Sequence, residues 1–428
     1  MGRSVRANHN IIAVSAYAME PAINTAQTLD LSLLASVGDI ISLDTRRESN
    51  KDELTGKEEA DTIYDLGQTA NLTLNFPKAQ AQHFALLYAY GLGTILSTVA
   101  GTGFLKTITP IDGDLETSRS LPSFTGAQRM GKIIAKERFY SMFVNGVTAT
   151  FARDDFCKVT GEIVATGKYD KSITEESITA LDDVTALTLA VNGVAGTTAQ
   201  ERLDAIHQIR VETSAGVWEE VEFSAVSDAV PAEITITAPG ATSGSVTYKV
   251  LYAPAEVAWM TFPGRVSETP LRVSELKFTL GGKYNGTAFQ GGRDMGAEIN
   301  SIEHRLSNNG KVEFVPGGGD AYASQYFRDG REQTLALDRE FRDYIVRNYM
   351  TTNETFGASI LAEGRVYDEG GGHKYTVEII FPKLGVLKAP VSANGKRLAE
   401  KGDMTVLEDD IYGSVIVKIK NLAQFYAN

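Results

Sequence analysis

Side chains able to do chemistry are present in the chain, but their spacing assembles nothing. The five histidines, His9, His83, His207, His304 and His373, are scattered, with no HxxxH and no Cys/His pair at metal-ligand spacing. Cys157 is the one cysteine; it sits in a strand-like run and reads as a small buried hydrophobe rather than a nucleophile. Asp154-Asp155, Asp182-Asp183, Glu219-Glu220 and Asp409-Asp410 are adjacent carboxylates. Neighbours on a strand point to opposite faces, so these pairs make no general acid and base. The glycine runs Gly291-Gly292, Gly317-Gly318-Gly319 and Gly370-Gly371-Gly372 lack the Lys-Ser/Thr that completes a phosphate loop, and read as hairpin tips. GxSxG is absent. The aromatic and basic stretches ERFYSMF (137–143) and ASQYFRDGR (323–331) each carry their own acidic residue, which weakens a single-strand nucleic-acid reading. The expectation is a non-enzymatic protein with no catalytic, cofactor-binding or metal-binding residues. A hydrolase would need a pocket that brings His304 or His373 to a carboxylate and a nucleophile.

With the chemistry thin, the elements carry the information. The 428 residues hold 43% hydrophobic side chains, 40 Gly, 17 Tyr and 18 Phe, room for two or three domains of a β-dominated α+β class. Charge is 41 − 54 = −13, which argues against a surface that grips nucleic acid through its phosphates. A lone cysteine makes no intrachain disulfide and is compatible with a reducing compartment. No run approaches the roughly 18 apolar residues of a membrane helix. The start, MGRSVRANHNIIAVSAYAME, reads as unexported, and Arg6 stands where myristoylation wants Ser or Thr.

The chain repeats itself. Residues 37–75 and 296–338 both run strand, loop, strand; Ile302 − Ile41 is 302 − 41 = 261 positions and Leu335 − Leu72 is 335 − 72 = 263. A helix follows in each copy. In the first it is expected over Pro77–Tyr90, with Ala81, Phe84, Ala85 and Tyr88 as one buried stripe and Asn75 as cap; in the second, over Arg339–Met350, with Phe341, Tyr344, Ile345 and Tyr349 as the stripe and Asp338 as cap. Strands Glu137–Phe151 and Phe156–Gly167 follow in one copy, His373–Leu387 and Gly413–Asn421 in the other.

Between the copies lies a stretch of short strands and turn signals that neither accounts for, expected to be a small sandwich with Trp218 in its aromatic core and a short helix near Ala199–Gln208. The division is 1–176, 177–255 and 256–428. The loops Arg46–Asp61 and Asn308–Ser324 occupy matching places and read either as solvated hairpin tips or as contact loops that order against a neighbouring subunit; the N-terminal arm 1–20 is expected to order on assembly.

This order resembles the major tail tube proteins of long-tailed bacteriophages. The stretches that carry the resemblance are NLTLNFPKAQAQHFALLYAYGLGT in the first copy and QTLALDREFRDYIVRNYM, HKYTVEIIFPKLGVL and DDIYGSVIVKIKN in the second. It covers most of the chain outside the insert. It implies two tandem tube-type β-sandwich or half-barrel domains, each with a flanking helix, and an inserted immunoglobulin-like β-domain decorating the tube exterior. It also implies a structural virion protein that self-assembles into stacked rings around a channel for DNA. A two-unit protomer then needs three copies for a pseudo-sixfold ring, with a hexamer as the alternative. The implied partners are the protein itself, the tail terminator, tail-tip or distal tail proteins and a tape measure protein in the lumen. DNA would pass without specific binding and no membrane would be engaged. The implied location is the virion tail, reached from the host cytoplasm. The rival expectation is a β-rich binding module or adhesin, with its ligand patch near Trp218.

Overall fold

The computed structural model describes residues 5–111, 119–241, 243–255, 258–315, 321–395 and 397–428, Ala258 by its backbone alone. Strands take 53% of the chain and helices 9%, so the protein is mostly β, as the Tyr, Phe, Val and Thr content requires. Contacts divide it into two units. One gathers residues 1–13, 126–138 and 169–264; the other gathers 14–125, 139–168 and 265–428.

The smaller unit is built on a four-stranded antiparallel sheet in the order Thr174–Leu181, Ser245–Tyr252, Ile206–Ser214, Val217–Glu220, with a three-stranded sheet Ala186–Thr188, Glu233–Ile236, Phe223–Val226. Inward positions alternate along Ser245–Tyr252 and Glu233–Ile236, and Ile209, Val211, Tyr248, Val250, Tyr252 and Ile234 lie in its core. The turn at Ala215-Gly216 is the expected hairpin, with Gly216 at φ 78°. The short helix is Ala199–Asp204, opened by a Thr198/Glu201 capping box. Trp218 is not in the core. Its strand lies at the sheet edge, and its ring stays half-buried on the outer face beneath the Lys249 ammonium at 4.8 Å and the Arg210 guanidinium at 5.7 Å. Two cations outside the sheet and a core already filled by Tyr248 and Tyr252 explain the outward turn.

In the larger unit the two copies share one sheet. Ser42–Ser49 pairs with Ile63–Phe76, which pairs with Lys158–Ala165, which pairs with residues 142–150 of the strand Ala135–Ala152. That strand then ladders to Ile299–Ser307 of the second copy, from Ala152↔Ser301 to Gly146↔Ser307. The sheet continues through Glu332–Glu340, Arg397–Val406 and His373–Lys388. The far part of His373–Lys388 pairs with Ile416–Asn421, which takes the first copy's hairpin Gly103–Pro110 and Gly93–Ala100 as its continuation. Strands of 1–176 and 256–428 therefore alternate within one sheet. The equivalent positions Ile41 and Ile302, Leu72 and Leu335, are all buried.

The first helix is Ala81–Leu92, capped by Gln80 and closed by Gly93 at φ 95°. Asn75 does not cap it; Asn75 donates to the Asp39 carboxylate instead, from its N–H (2.7 Å) and from its Nδ2 (2.8 Å). All twelve helical residues are buried, not one stripe, because strands of both copies pack on it: Lys158–Ala165 and Gly103–Pro110 from the first, His373–Lys388 and Ile416–Asn421 from the second. Closeness shows at Gly161, where an added Cβ would overlap Leu87. Since Leu87 is fully enclosed, Gly161→Ala is expected to lower stability by about 1–3 kcal/mol in urea unfolding; a loss within about 0.3 kcal/mol would mean that the helix yields.

The second helix is Ile345–Thr352, shorter and later than the expected Arg339–Met350. Asp338 and Arg339 remain in the strand Glu332–Glu340, laddered to Lys401 and Glu400, because a buried ion network holds Arg339 there. Only Val346 of this helix is buried, and Tyr344 is exposed.

Candidate assembly surface

Among the described residues, two of the sheet edges that strand pairing leaves open in the larger unit differ in chemistry. The first is the ribbon made by Ser42–Ser49 with residues 63–69. Only residues 70–76 of its second strand ladder to another strand among the described residues, and beyond them Gln68 makes one isolated bridge to Tyr322, so the outer ribbon is two strands thick. Its residues 44–48 and 63–66 are exposed, with Ile63 and Leu66 among them. Over residues 42–66 the charge is 4 − 8 = −4. Its tip is ordered from within. Asn50 is buried, donating to Asp61 Oδ1 (2.7 Å) and accepting from the Asp61 and Thr62 N–H groups (3.1 and 3.3 Å). Lys57 pairs with Asp61, and Tyr64 donates to Glu53 (2.8 Å). Leu54 stands at this tip wholly in solvent.

The root of the ribbon meets the second copy. Gly67 takes φ 111°, and a Cβ there would lie 2.8 Å from the Phe314 ring. The Gln68 N–H donates to the Ala321 carbonyl (2.7 Å), and Arg46 lies 5.6 Å over Phe314. The loop Asn308–Ser324 supplies the first strand of a hairpin, Gly310–Glu313, which pairs with Gln325–Arg328 just after it. Of this loop, residues 316–320, with the run Gly317-Gly318-Gly319, lie outside the described residues, as do residues 1–4 of the N-terminal arm.

The second open edge is Gly93–Ala100, whose one ladder among the described residues is to Gly103–Pro110. Along it Leu96 and Val99, three positions apart and so on opposite faces, are 64% and 77% exposed, and the strand carries no charged residue. A long, apolar, uncharged edge is what natural sheets avoid unless something pairs with it.

The histidines do not converge. His83 is buried, stacks on Phe76 at 4.0 Å and accepts from the Gln80 N–H; burial drives its pKa down to about 3. His304 is enclosed, with Nδ1 2.8 Å from Tyr88 Oη and Nε2 3.2 Å from Gln333 Oε1. The neutral tautomer that satisfies both carries its proton on Nε2, and burial lowers its pKa to about 4. His207 and His9 are exposed, and His373 lies at a strand start against Tyr367. Cys157 is buried, which pushes its thiol up to about 12. Among the described residues no group of three or more His, Cys, Asp or Glu side chains is placed to hold a metal ion.

Two polar clusters escaped the sequence reading. One surrounds Arg339, the other Lys106 and Glu268. The second had a faint signal: Lys106 and Ile108 share a face of an alternating strand, and both are fully buried.

No family model and no curated protein matches the chain.

Proposed function

We propose that the chain is the subunit of a bacteriophage tail tube, a structural virion protein that assembles by sheet-edge pairing into stacked rings around a channel for DNA. The observation that carries the reading is the internal ladder between residues 146–152 and 301–307, which joins the two copies edge to edge. A protomer that already joins two equivalent units in this way, and still presents open edges of different chemistry, is suited to head-to-tail pairing that closes into a ring. With two units per chain, three chains make a pseudo-sixfold ring. The apolar edge Gly93–Ala100 supplies lateral pairing. The charged ribbon, whose tip is ordered from within itself, sets axial register through its mixed charges. The overall acidity disfavours adhesion of the DNA backbone.

The test is negative-stain electron microscopy at rising protein concentration, with light scattering on the same samples. Hollow tubes of threefold symmetry are expected from the parent protein. The double variant Leu96→Lys, Val99→Lys, made at two exposed positions, is expected to stay monomeric while keeping its far-UV circular dichroism. Monomers at every concentration for the parent protein, even beside tail-tip proteins, would refute the tube and favour the binding module.

A further inference from the structure

The smaller unit contains a cavity of about 450 Å³ whose walls carry more positive charge than a chain of this acidity leads one to expect. Arg129, Lys132 and Lys136 line it, all from the segment 126–138, and among the described residues the one carboxylate in the lining is Glu201, so the described lining sums to 3 − 1 = +2. Glu201 is already committed. It accepts from Lys132 (2.5 Å) and from the backbone and hydroxyl of Thr197 (2.8 and 2.7 Å), and these donors, Lys132 foremost, hold its pKa down at about 2. Lys136 is buried and donates to the Met260 carbonyl (3.0 Å).

Arg129 is different. Its guanidinium lies 6.0 Å from the centre of the Phe262 ring, but its Nε is buried and finds no acceptor among the described residues. A planar cation whose buried donor lacks an acceptor is an unstable arrangement unless something supplies one. Guanidinium matches the oxygens of carboxylate or phosphate better than any other anion geometry in biology. The rest of the wall is apolar, with Ile133, Val194, Pro254 and Met260 facing the same space. The volume suits a small organic molecule rather than a bare ion.

We infer that this cavity is a binding site for a small organic anion, with a phosphate or carboxylate head on Arg129 and an apolar body against Ile133, Val194, Pro254 and Met260. Lys132, at the exposed rim, and Lys136, at the wall, supply the field that draws the head in. The inference is independent of the tube reading, since it concerns a pocket and not an edge.

Isothermal titration calorimetry of the full chain at low ionic strength tests it, using phenyl phosphate, benzoate and inorganic phosphate as probes. At least one of the two aromatic anions is expected to bind saturably at one per chain, and more tightly than inorganic phosphate; which of them wins tells a phosphate head from a carboxylate. Arg129→Gln is expected to weaken that binding at least tenfold with the melting temperature unchanged. Lys132→Glu, on an exposed side chain, brings the lining charge from +2 to 0 and is expected to weaken it about as much, so the test holds even if the Arg129 variant fails to fold. No saturable binding of either aromatic anion into the millimolar range, or affinity unchanged in Lys132→Glu, overturns the inference.

Discussion

Arg339→Met is expected to lower the stability of the larger unit by about 3–5 kcal/mol, the effect of removing one member of a buried ion network. Arg339 has no solvent exposure. Its Nε donates to Glu400 (2.7 Å), its Nη1 to Glu298 (3.0 Å) and its Nη2 to the Asp343 carboxylate (2.9 Å). Glu298 and Glu400 are themselves buried, so the apolar variant strands two carboxylates in a medium that does not solvate charge. Arg293 bonds Glu298 (2.8 Å) and Asp343 (2.7 Å) from the solvent side and would recover part of the loss. Asp343 also accepts from the Ile345 N–H (3.0 Å), so the network sets where the second helix begins. Burial alone would raise the Asp343 pKa; Arg339 and the Ile345 N–H outweigh it and keep the carboxyl below its usual value. Arg339→Lys is expected to recover less than half, because an ammonium cannot present the guanidinium fork to three partners. Urea unfolding followed by far-UV circular dichroism measures this. Fluorescence would miss it, since Trp218 and Trp259 both lie in the smaller unit. A loss under about 1 kcal/mol would show that the network is not the anchor its geometry describes.

The second large effect depends on pH. Glu268 is buried; burial drives its pKa from 4.5 up to about 7 against the pull of the Gln82 N–H (2.9 Å) and the Lys106 ammonium. A raised folded-state pKa contributes stability that is complete below 4.5 and is lost as pH rises through 7. At 1.36 kcal/mol per unit the swing is about 3 kcal/mol. Lys106 runs the other way. Its ammonium, enclosed by Asn421, the Phe104 carbonyl (3.4 Å) and the Tyr426 ring (5.7 Å), is lowered by burial from 10.5 to about 8. Its contribution is present above 10.5 and lost as pH falls through 8. Together the two groups place a stability minimum between pH 7 and 8. Glu268→Gln keeps the shape and removes the proton. The stability difference between parent and variant is expected to shift by about 3 kcal/mol in the parent's favour on going from pH 7.5 to pH 4.5. Asp30, raised by burial to about 6, titrates in both proteins and cancels. A difference that does not change with pH would mean that Glu268 is ionised throughout.

The repeat, the hairpins and the strands were legible because they are local or periodic. Alternation predicts the buried side of a strand whatever lies beyond it, and the short sandwich strands about the Ala215-Gly216 turn stand where turn chemistry places them. Helix limits were less legible. The periodicity through Phe341, Tyr344, Ile345 and Tyr349 is real, but Arg339 is held by partners 41 and 61 positions away, and no window around residue 339 contains them. Trp218 failed for a related reason: an aromatic on a strand prefers an interior only if the interior has room.

Sequence alone determined a mostly β chain and a middle stretch of short strands, because alternation and turn residues are written along the chain. Tertiary structure alone decided that the two copies share a sheet through residues 146–152 and 301–307, that one helix is enclosed while its counterpart is exposed, and that Arg129, Lys132 and Lys136 face one cavity. Each of these depends on which edges and side chains meet across long stretches of chain. Those meetings are settled by burial and pairing summed over the whole fold, which no local pattern records.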